Sequence, residues 1–245
     1  MKTEKIVALP LGNASISRAI RRGWLLFKQT RRLSVSFAMI FALIGVFILS
    51  AFELASVVPM MLPLAGGFML LGPLALAGFF SIADRVEANQ IPQFSDVVNG
   101  FFQTSRETTA LGLVCTLLFL IWMTDAATLY GFMVGRTPMS LMTPIPDAVW
   151  SFVGWSSLMG AVLAFVIFAV SAFSVPLLYY RRTGLVAAVV LSVKTVFSNF
   201  STCIQWALVL SGVIIGSILV FPLFLLTFPV LAFASHALYR ECFPE

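Results

Sequence analysis

The sequence predicts an all-α integral membrane protein. Six transmembrane helices form three outer hairpins, and each hairpin is preceded by an amphipathic helix lying on the cytoplasmic interface. Three observations carry this. Hydrophobic residues make up 60% of the 245-residue chain and charged residues only 10%, against about 45–50% and about 25% in soluble domains. Too few polar side chains remain to clothe a water-facing surface. The apolar residues also gather into long uncharged runs, of about the twenty residues needed to cross a bilayer core. Finally, of the 15 lysines and arginines, all but Arg136 fall in segments that the runs alternately return to one side, as the positive-inside rule requires.

Residues 1–12 read as a flexible N-terminal tail, followed by a single membrane domain over 13–240 and a short C-terminal tail over 241–245. From Asn13 or Ser15, either a good N-cap, a helix is expected to run to about Arg32. Ile16, Ile20, Trp24 and Phe27 share one face, and Arg18, Arg21, Arg22, Lys28 and Arg32 the other. A basic amphipathic helix abutting a span lies flat among lipid headgroups. Arg18, Arg21, Arg22, Trp24, Lys28, Arg31 and Arg32 are therefore candidate headgroup contacts, with Arg181 and Arg182 later in the chain. The net charge of +5 is concentrated at this surface. Anionic lipid suits it better than nucleic acid.

The spans follow at about 33–52, 57–83, 108–131, 151–180, 203–221 and 222–239. The second is overlong and carries Pro59, Pro63, Gly66-Gly67 and Gly72-Pro73, so it is either one kinked helix or two elements. After it, Asp84 to Glu107 returns to the polar side. There Ser95-Asp96 offers a helix start, with Phe94, Val97, Val98, Phe101 and Phe102 as an apolar stripe. Trp150 and Trp155 mark re-entry from the outer side. The fourth span ends at Tyr179-Tyr180 before Arg181-Arg182, and a third amphipathic segment through Lys194 feeds the fifth. Almost no loop separates the fifth and sixth spans. The recurring unit is an amphipathic helix plus a hairpin, three times over.

Cysteines 115, 203 and 242 do not make a disulfide framework. Haem, copper and zinc sites draw on clustered His, Cys or carboxylates, and the chain has one histidine, His236. Near the inner end of the last span, His236 reads as an interfacial polar residue. No nucleophile elbow, phosphate loop or paired intramembrane carboxylate is present, so neither an enzyme nor a cofactor protein is expected. Asp125 stands about 26 Å along the third span at 1.5 Å per residue, close to the outer boundary. Glu53 is at a similar height, and Arg136 is the outer basic residue that could pair with either. The plainer reading of all three is solvation at the interface. Gly212 and Gly216, flanked by Ser211 and Ser217, form a GxxxG patch on the fifth span, suited to packing inside the bundle or to a dimer face.

Three stretches resemble a domain-of-unknown-function family of bacterial six-span inner-membrane proteins. They are Gly66 to Arg85, Phe173 to Asn199, and His236-Ala237-Leu238-Tyr239-Arg240. The family's Gly-Pro turn is similar to Gly72-Pro73, and its charged turn to Asp84-Arg85-Val86-Glu87, although the turn is less basic here. Some members carry a cytochrome c oxidase label. One histidine cannot serve a haem–copper catalytic centre, so the resemblance implies an accessory or assembly role.

The expectation is thus a non-catalytic, multi-pass protein of the bacterial inner membrane, with both termini cytoplasmic. It binds no cofactor, contacts anionic lipids and other integral membrane proteins, and serves as an accessory or scaffolding component, with a respiratory terminal oxidase as the complex. The alternative is a transporter or lipid-handling protein that uses the Pro/Gly-broken second and sixth spans.

Overall fold

The computed structural model describes residues 8–12, 14–67, 72–102, 105–135, 139 and 146–244. Among these the regular structure is helical apart from an isolated bridge between Val57 and Met139. The helices are α1 (Ser15–Leu54), α2 (Met61–Gly67), α3 (Gly72–Glu87), α4 (Phe94–Phe102), α5 (Arg106–Met133), α6 (Asp147–Ser171), α7 (Ser174–Tyr179), α8 (Leu185–Ser198), α9 (Phe200–Leu219) and α10 (Phe221–Cys242). Five stretches are long and apolar enough to cross a membrane: α1, α5, α6 with α7, α9 and α10.

Where the second span is expected, residues 68–71 lie outside the described residues. A 3₁₀ turn at Val58–Met60 leads into α2, and α3 resumes at Gly72. The 16 residues of α3 rise about 24 Å, short of the roughly 30 Å hydrocarbon core. Pro59 falls at the start of the 3₁₀ turn, where its missing backbone donor is tolerated.

The basic N-terminal helix and the first span are continuous as α1, with one non-helical residue between them, Thr30 (φ −115°, ψ 18°). The Thr30 hydroxyl donates to the Leu26 carbonyl at 2.8 Å and lies 2.9 Å from the Ser34 hydroxyl, turning hydroxyl chemistry inward at the bend. The apolar face of the basic half covers protein instead of lying free on a headgroup layer. Ala19, Gly23 and Phe27 are buried, and Ile16 and Ile20 partly so. Trp24 remains at the edge, 38% exposed.

What they cover is α10, the most enclosed of the spans. A Cβ added at Gly23 would lie 2.5 Å from the Val230 carbonyl oxygen and 2.8 Å from the Ala234 nitrogen. Only a residue without a side chain allows α1 to rest directly on the α10 backbone. Farther along, an aromatic cluster fills the space between α1, α3 and α10. Phe79 lies 5.0 Å from Phe37, 5.5 Å from Phe228 and 5.4 Å from Phe233, ring centre to ring centre. A second cluster (Met60, Trp122, Ala126, Tyr130 and Phe152) binds α5 to α6 at the opposite end of the bundle.

The described residues toward both ends of the chain are held by hydrogen bonds or burial. Residues 8–12, expected in a flexible tail, run as a strap: Leu9 donates to the Cys242 carbonyl at 2.8 Å, and Leu11 to Asn199 Oδ1 at 2.7 Å. The expected C-terminal tail likewise holds buried Cys242 and Phe243. Asn13 lies outside the described residues. The break between α6 and α7 is satisfied by α8, whose Ser192 hydroxyl accepts from the Phe173 N–H at 3.1 Å and donates to the Ala169 carbonyl at 2.7 Å. α8 therefore turns Ser192 and Thr195 inward while Val186, Val190 and Phe197 point out, the reverse of a helix that floats in water.

Candidate functional site

The contacts of α3, α7 and α10 bring one end of each together, and there the chain gathers polar groups from three distant segments. Asp84 and Glu87 come from the last turn of α3, Tyr180 from the residue after α7, and His236 and Arg240 from the last two turns of α10. The spacings follow from helix geometry: Asp84 and Glu87 are three apart and His236 and Arg240 four apart, so each pair shares a face. Tyr180 is held in place because Arg181 adopts a left-handed conformation (φ 50°), which ends α7 and turns the chain away.

The Tyr180 hydroxyl is the hub. It donates to Asp84 Oδ1 at 2.7 Å and lies 2.8 Å from His236 Nε2. A phenol has one proton, and a carboxylate can only accept. With that proton on Asp84, Nε2 of His236 carries its own hydrogen and donates to the phenol oxygen. The relay runs His236 to Tyr180 to Asp84. His236 is 1% exposed, and its Nδ1 is buried without a hydrogen-bond partner. Rings pack against the buried part of the site: Phe80 lies 5.3 Å from the imidazole, and Tyr239 stacks on Tyr180 at 5.6 Å and 6°.

Arg240 completes the cluster. Its Nη2 is 3.6 Å from Asp84 Oδ1 and 3.5 Å from Glu87 Oε2, and its guanidinium lies 4.9 Å over the Tyr180 ring. Donor atoms of Asp84, Glu87 and His236 all fall within 4.8 Å of one another, as a metal's ligands would. However, the guanidinium already supplies the positive charge between the two carboxylates, and Nδ1 lacks the acceptor that orients a metal-bound imidazole. The arrangement is that of a self-satisfied clamp between helices. Next to it Arg85 pairs with Asp96 at 2.9 Å, while Asp96 Oδ2 accepts from the Gln93 N–H at 2.8 Å, the reach-back of a capping box at the start of α4.

His236, expected at the interface, is thus corrected to a buried member of the cluster. The signal missed in the sequence is a set of pairings among segments far apart in the chain. Glu53 is half-buried at the far end of α1, Asp125 is exposed on α5, and Arg136 lies outside the described residues. Glu53 and Asp125 do not join the cluster. Two of the residues expected at lipid headgroups have protein partners instead. Arg18 pairs with Glu241, which also accepts from the Ser15 hydroxyl. Arg182 donates to the Phe243 and Pro244 carbonyls at 2.9 and 3.1 Å, closing the C-terminal end of α10 where a cation is favoured. Lys28 lies 5.4 Å over the Trp24 ring, while Arg21, Arg22, Arg31, Arg32 and Arg181 are exposed.

The glycine patch on α9 faces outward. Gly212 and Gly216 are exposed, and a Cβ at either would meet nothing within 4 Å. Ser217 is buried and donates to the Ile214 carbonyl at 2.8 Å, and Ser211 is half-buried. Gly23 instead packs directly against the backbone of another helix, in a segment whose charges draw attention away from its small residues.

Residues 60–179, just under half of the chain, match a family described as "Predicted integral membrane protein (DUF2189)". The match bears out the resemblance to a membrane family of unknown function. It takes in Asp84 and Glu87 and stops one residue before Tyr180. No curated protein and no solved structure matches the chain.

Proposed function

We propose that this multi-pass membrane protein, which carries the DUF2189 region over residues 60–179, is a non-catalytic accessory or scaffolding component of a larger membrane complex, with a respiratory terminal oxidase as the first complex to test. The observation that carries this reading is the outward Gly212–Gly216 face, open along α9. Apolar lipid gives little hydrophobic drive between helices, so association depends on close backbone approach at small residues. The chain exploits such an approach internally, where Gly23 of α1 rests on α10, and presents a second small-residue face to the outside. The polar cluster supports the same role. The carboxylates, the Tyr180 hydroxyl, the Arg240 guanidinium and His236 Nε2 face one another, which suits holding helix ends together.

In this reading α2 and α3 together make the second of six crossings. The end bearing Arg85, Arg182 and Arg240 faces the cytoplasm of a bacterial inner membrane, and Arg21, Arg22, Arg31 and Arg32 meet anionic headgroups. A cysteine at Ser56 should react with an impermeant thiol reagent in outer-permeabilised cells, and one at Thr183 should not; ready labelling at Thr183 overturns the orientation. For the function itself, gentle extraction followed by native gel migration and mass spectrometry should find the protein in a larger assembly. Gly212→Leu with Gly216→Leu should reduce the co-purifying partner about tenfold while leaving the chain inserted. A solitary monomer that moves a solute in liposomes would sink the accessory reading in favour of transport.

A further inference from the structure

α5 turns Trp122, Ala126 and Tyr130 into the bundle and leaves a second face uncovered. On that face Val114, Leu117, Ile121, Asp125, Thr128 and Phe132 follow at intervals of three or four residues, so they line up as one seam. All six are exposed. Four are apolar, as a helix facing lipid allows. Asp125 is the departure. Among the described residues no lysine, arginine or histidine pairs with it. The neighbouring hydroxyls of the helix donate elsewhere: Thr124 to the Leu120 carbonyl and Thr128 to the Thr124 carbonyl, each at 2.8 Å.

The surroundings of Asp125 mark its depth. Phe132, 87% exposed, stands two helical turns beyond it, about 10 Å away along the axis, and Ile121, 51% exposed, stands one turn before it. Uncovered apolar side chains thus bracket the carboxylate on both sides. α6 supplies a second marker. It runs antiparallel to α5, with Phe152 against Tyr130 (ring centres 5.4 Å apart) and Gly160 against the Trp122 ring. Counted from the Tyr130–Phe152 contact, Asp125 falls about 3 Å to the mid-membrane side of Trp155. Trp150 and Trp155 are both exposed, and exposed tryptophans sit at headgroup level. Below that belt a carboxylate needs a partner, because charged groups in a span pair with one another or line a watery cavity. Facing outward, Asp125 must find its partner on another chain.

We infer that this seam docks a transmembrane helix of another protein, and that a lysine or arginine on that helix pairs with Asp125. A carboxylate accepts hydrogen bonds but cannot donate, and in low dielectric its attraction to a cation is far stronger than in water. The apolar seam residues above and below then meet apolar neighbours on the partner. Such docking rests on the accessory reading and gives the partner its chemistry. It uses α5, whereas the outward glycines lie on α9, so the two surfaces can be tested apart.

The test uses the full chain in the cells that make it, with photoreactive benzoylphenylalanine in place of Phe132. Irradiation should join it to one membrane protein. Mass spectrometry of the cross-linked peptide should find a lysine or arginine within an apolar span. Asp125→Asn, nearly the same in shape, should lower the cross-link about fivefold, the size expected of one polar contact between membrane helices. Asp125→Arg should abolish it, and exchanging the partner's cation for aspartate should restore it. An unchanged yield in Asp125→Asn would overturn the pairing. Depth has its own readout, because Cys115, Cys203 and Cys242 are buried and give little background. Asp125→Cys should resist an impermeant thiol reagent that labels Ser56→Cys. Ready labelling at position 125 would put Asp125 in water and overturn the docking. So would a cross-link to lipid alone, to a second copy of this chain or to a span without a cation. An assembly that survives on native gels with no cross-link from α5 defeats this surface and spares the accessory reading, whereas a solitary chain defeats both.

Discussion

Replacing Gly23 by alanine should destabilise the protein by about 3 kcal/mol, the upper part of the range for forcing a methyl group into a filled core. The added Cβ would stand 2.5 Å from the Val230 carbonyl oxygen and 2.8 Å from the Ala234 nitrogen. These are backbone atoms, four residues apart on one helix, so no rotamer change can move them aside. α1 must withdraw from α10, and the loss spreads along their shared seam. Gly78 gives a useful contrast. Its added Cβ would lie 2.6 Å from atoms of the Phe37 ring, a side chain that can shift, so Gly78→Ala should cost less. Gly212→Ala meets open space and should lie within about 0.5 kcal/mol of the parent, as surface changes do. Unfolding of the three variants in one detergent, followed by helical circular dichroism, checks the order. Equal stability of Gly23→Ala and the parent would mean that α1 does not rest on the α10 backbone.

That comparison also shows what could and could not be seen in the letters. Hydropathy locates apolar runs well: the third span, expected at 108–131, is α5 at Arg106–Met133, with Ser105 as its N-cap accepting from Thr108. Hydropathy is indifferent to which way a helix faces. Gly212-x-x-x-Gly216 and the Ser15, Ala19, Gly23 series are both small residues four apart. Only the second has a helix against it, because α10 returns alongside α1 and the strap at 8–12 ties their ends. The second span was uncertain for a different reason. Its glycines and prolines weaken helix propensity by amounts that tertiary packing can override, so one kinked helix and two elements were both compatible with the sequence. The polar cluster was the least legible feature. Asp84, Tyr180 and His236 are separated by 96 and 56 residues, and no local spacing announces a contact of that kind.

The clamp reading of that cluster makes the second large prediction. Tyr180→Phe keeps the ring stack with Tyr239 and removes the oxygen that serves Asp84 and His236 together. His236 Nε2–H then keeps only Asp84 Oδ1 nearby, at 3.7 Å and beyond hydrogen-bond reach, and a buried donor left unmade costs about 1–3 kcal/mol. His236→Leu removes the imidazole but leaves the Tyr180 hydroxyl its bond to Asp84, so its cost comes mainly from lost packing against Phe80. The double variant should be less damaging than the sum of the two, because the orphaned imidazole is gone. A coupling of about 1 kcal/mol is expected, within the range found for hydrogen bonds between membrane helices. Arg240→Met adds an independent arm, because it strips the cation from between Asp84 and Glu87 while keeping a long apolar stem. It should destabilise at neutral pH, and acidification that protonates the two carboxylates should restore part of the loss. The sign is fixed by charge: two neighbouring carboxylates repel only while ionised. Additive single changes in the Tyr180–His236 cycle, together with an Arg240→Met cost that does not shrink in acid, would show that the groups are neighbours without being a clamp.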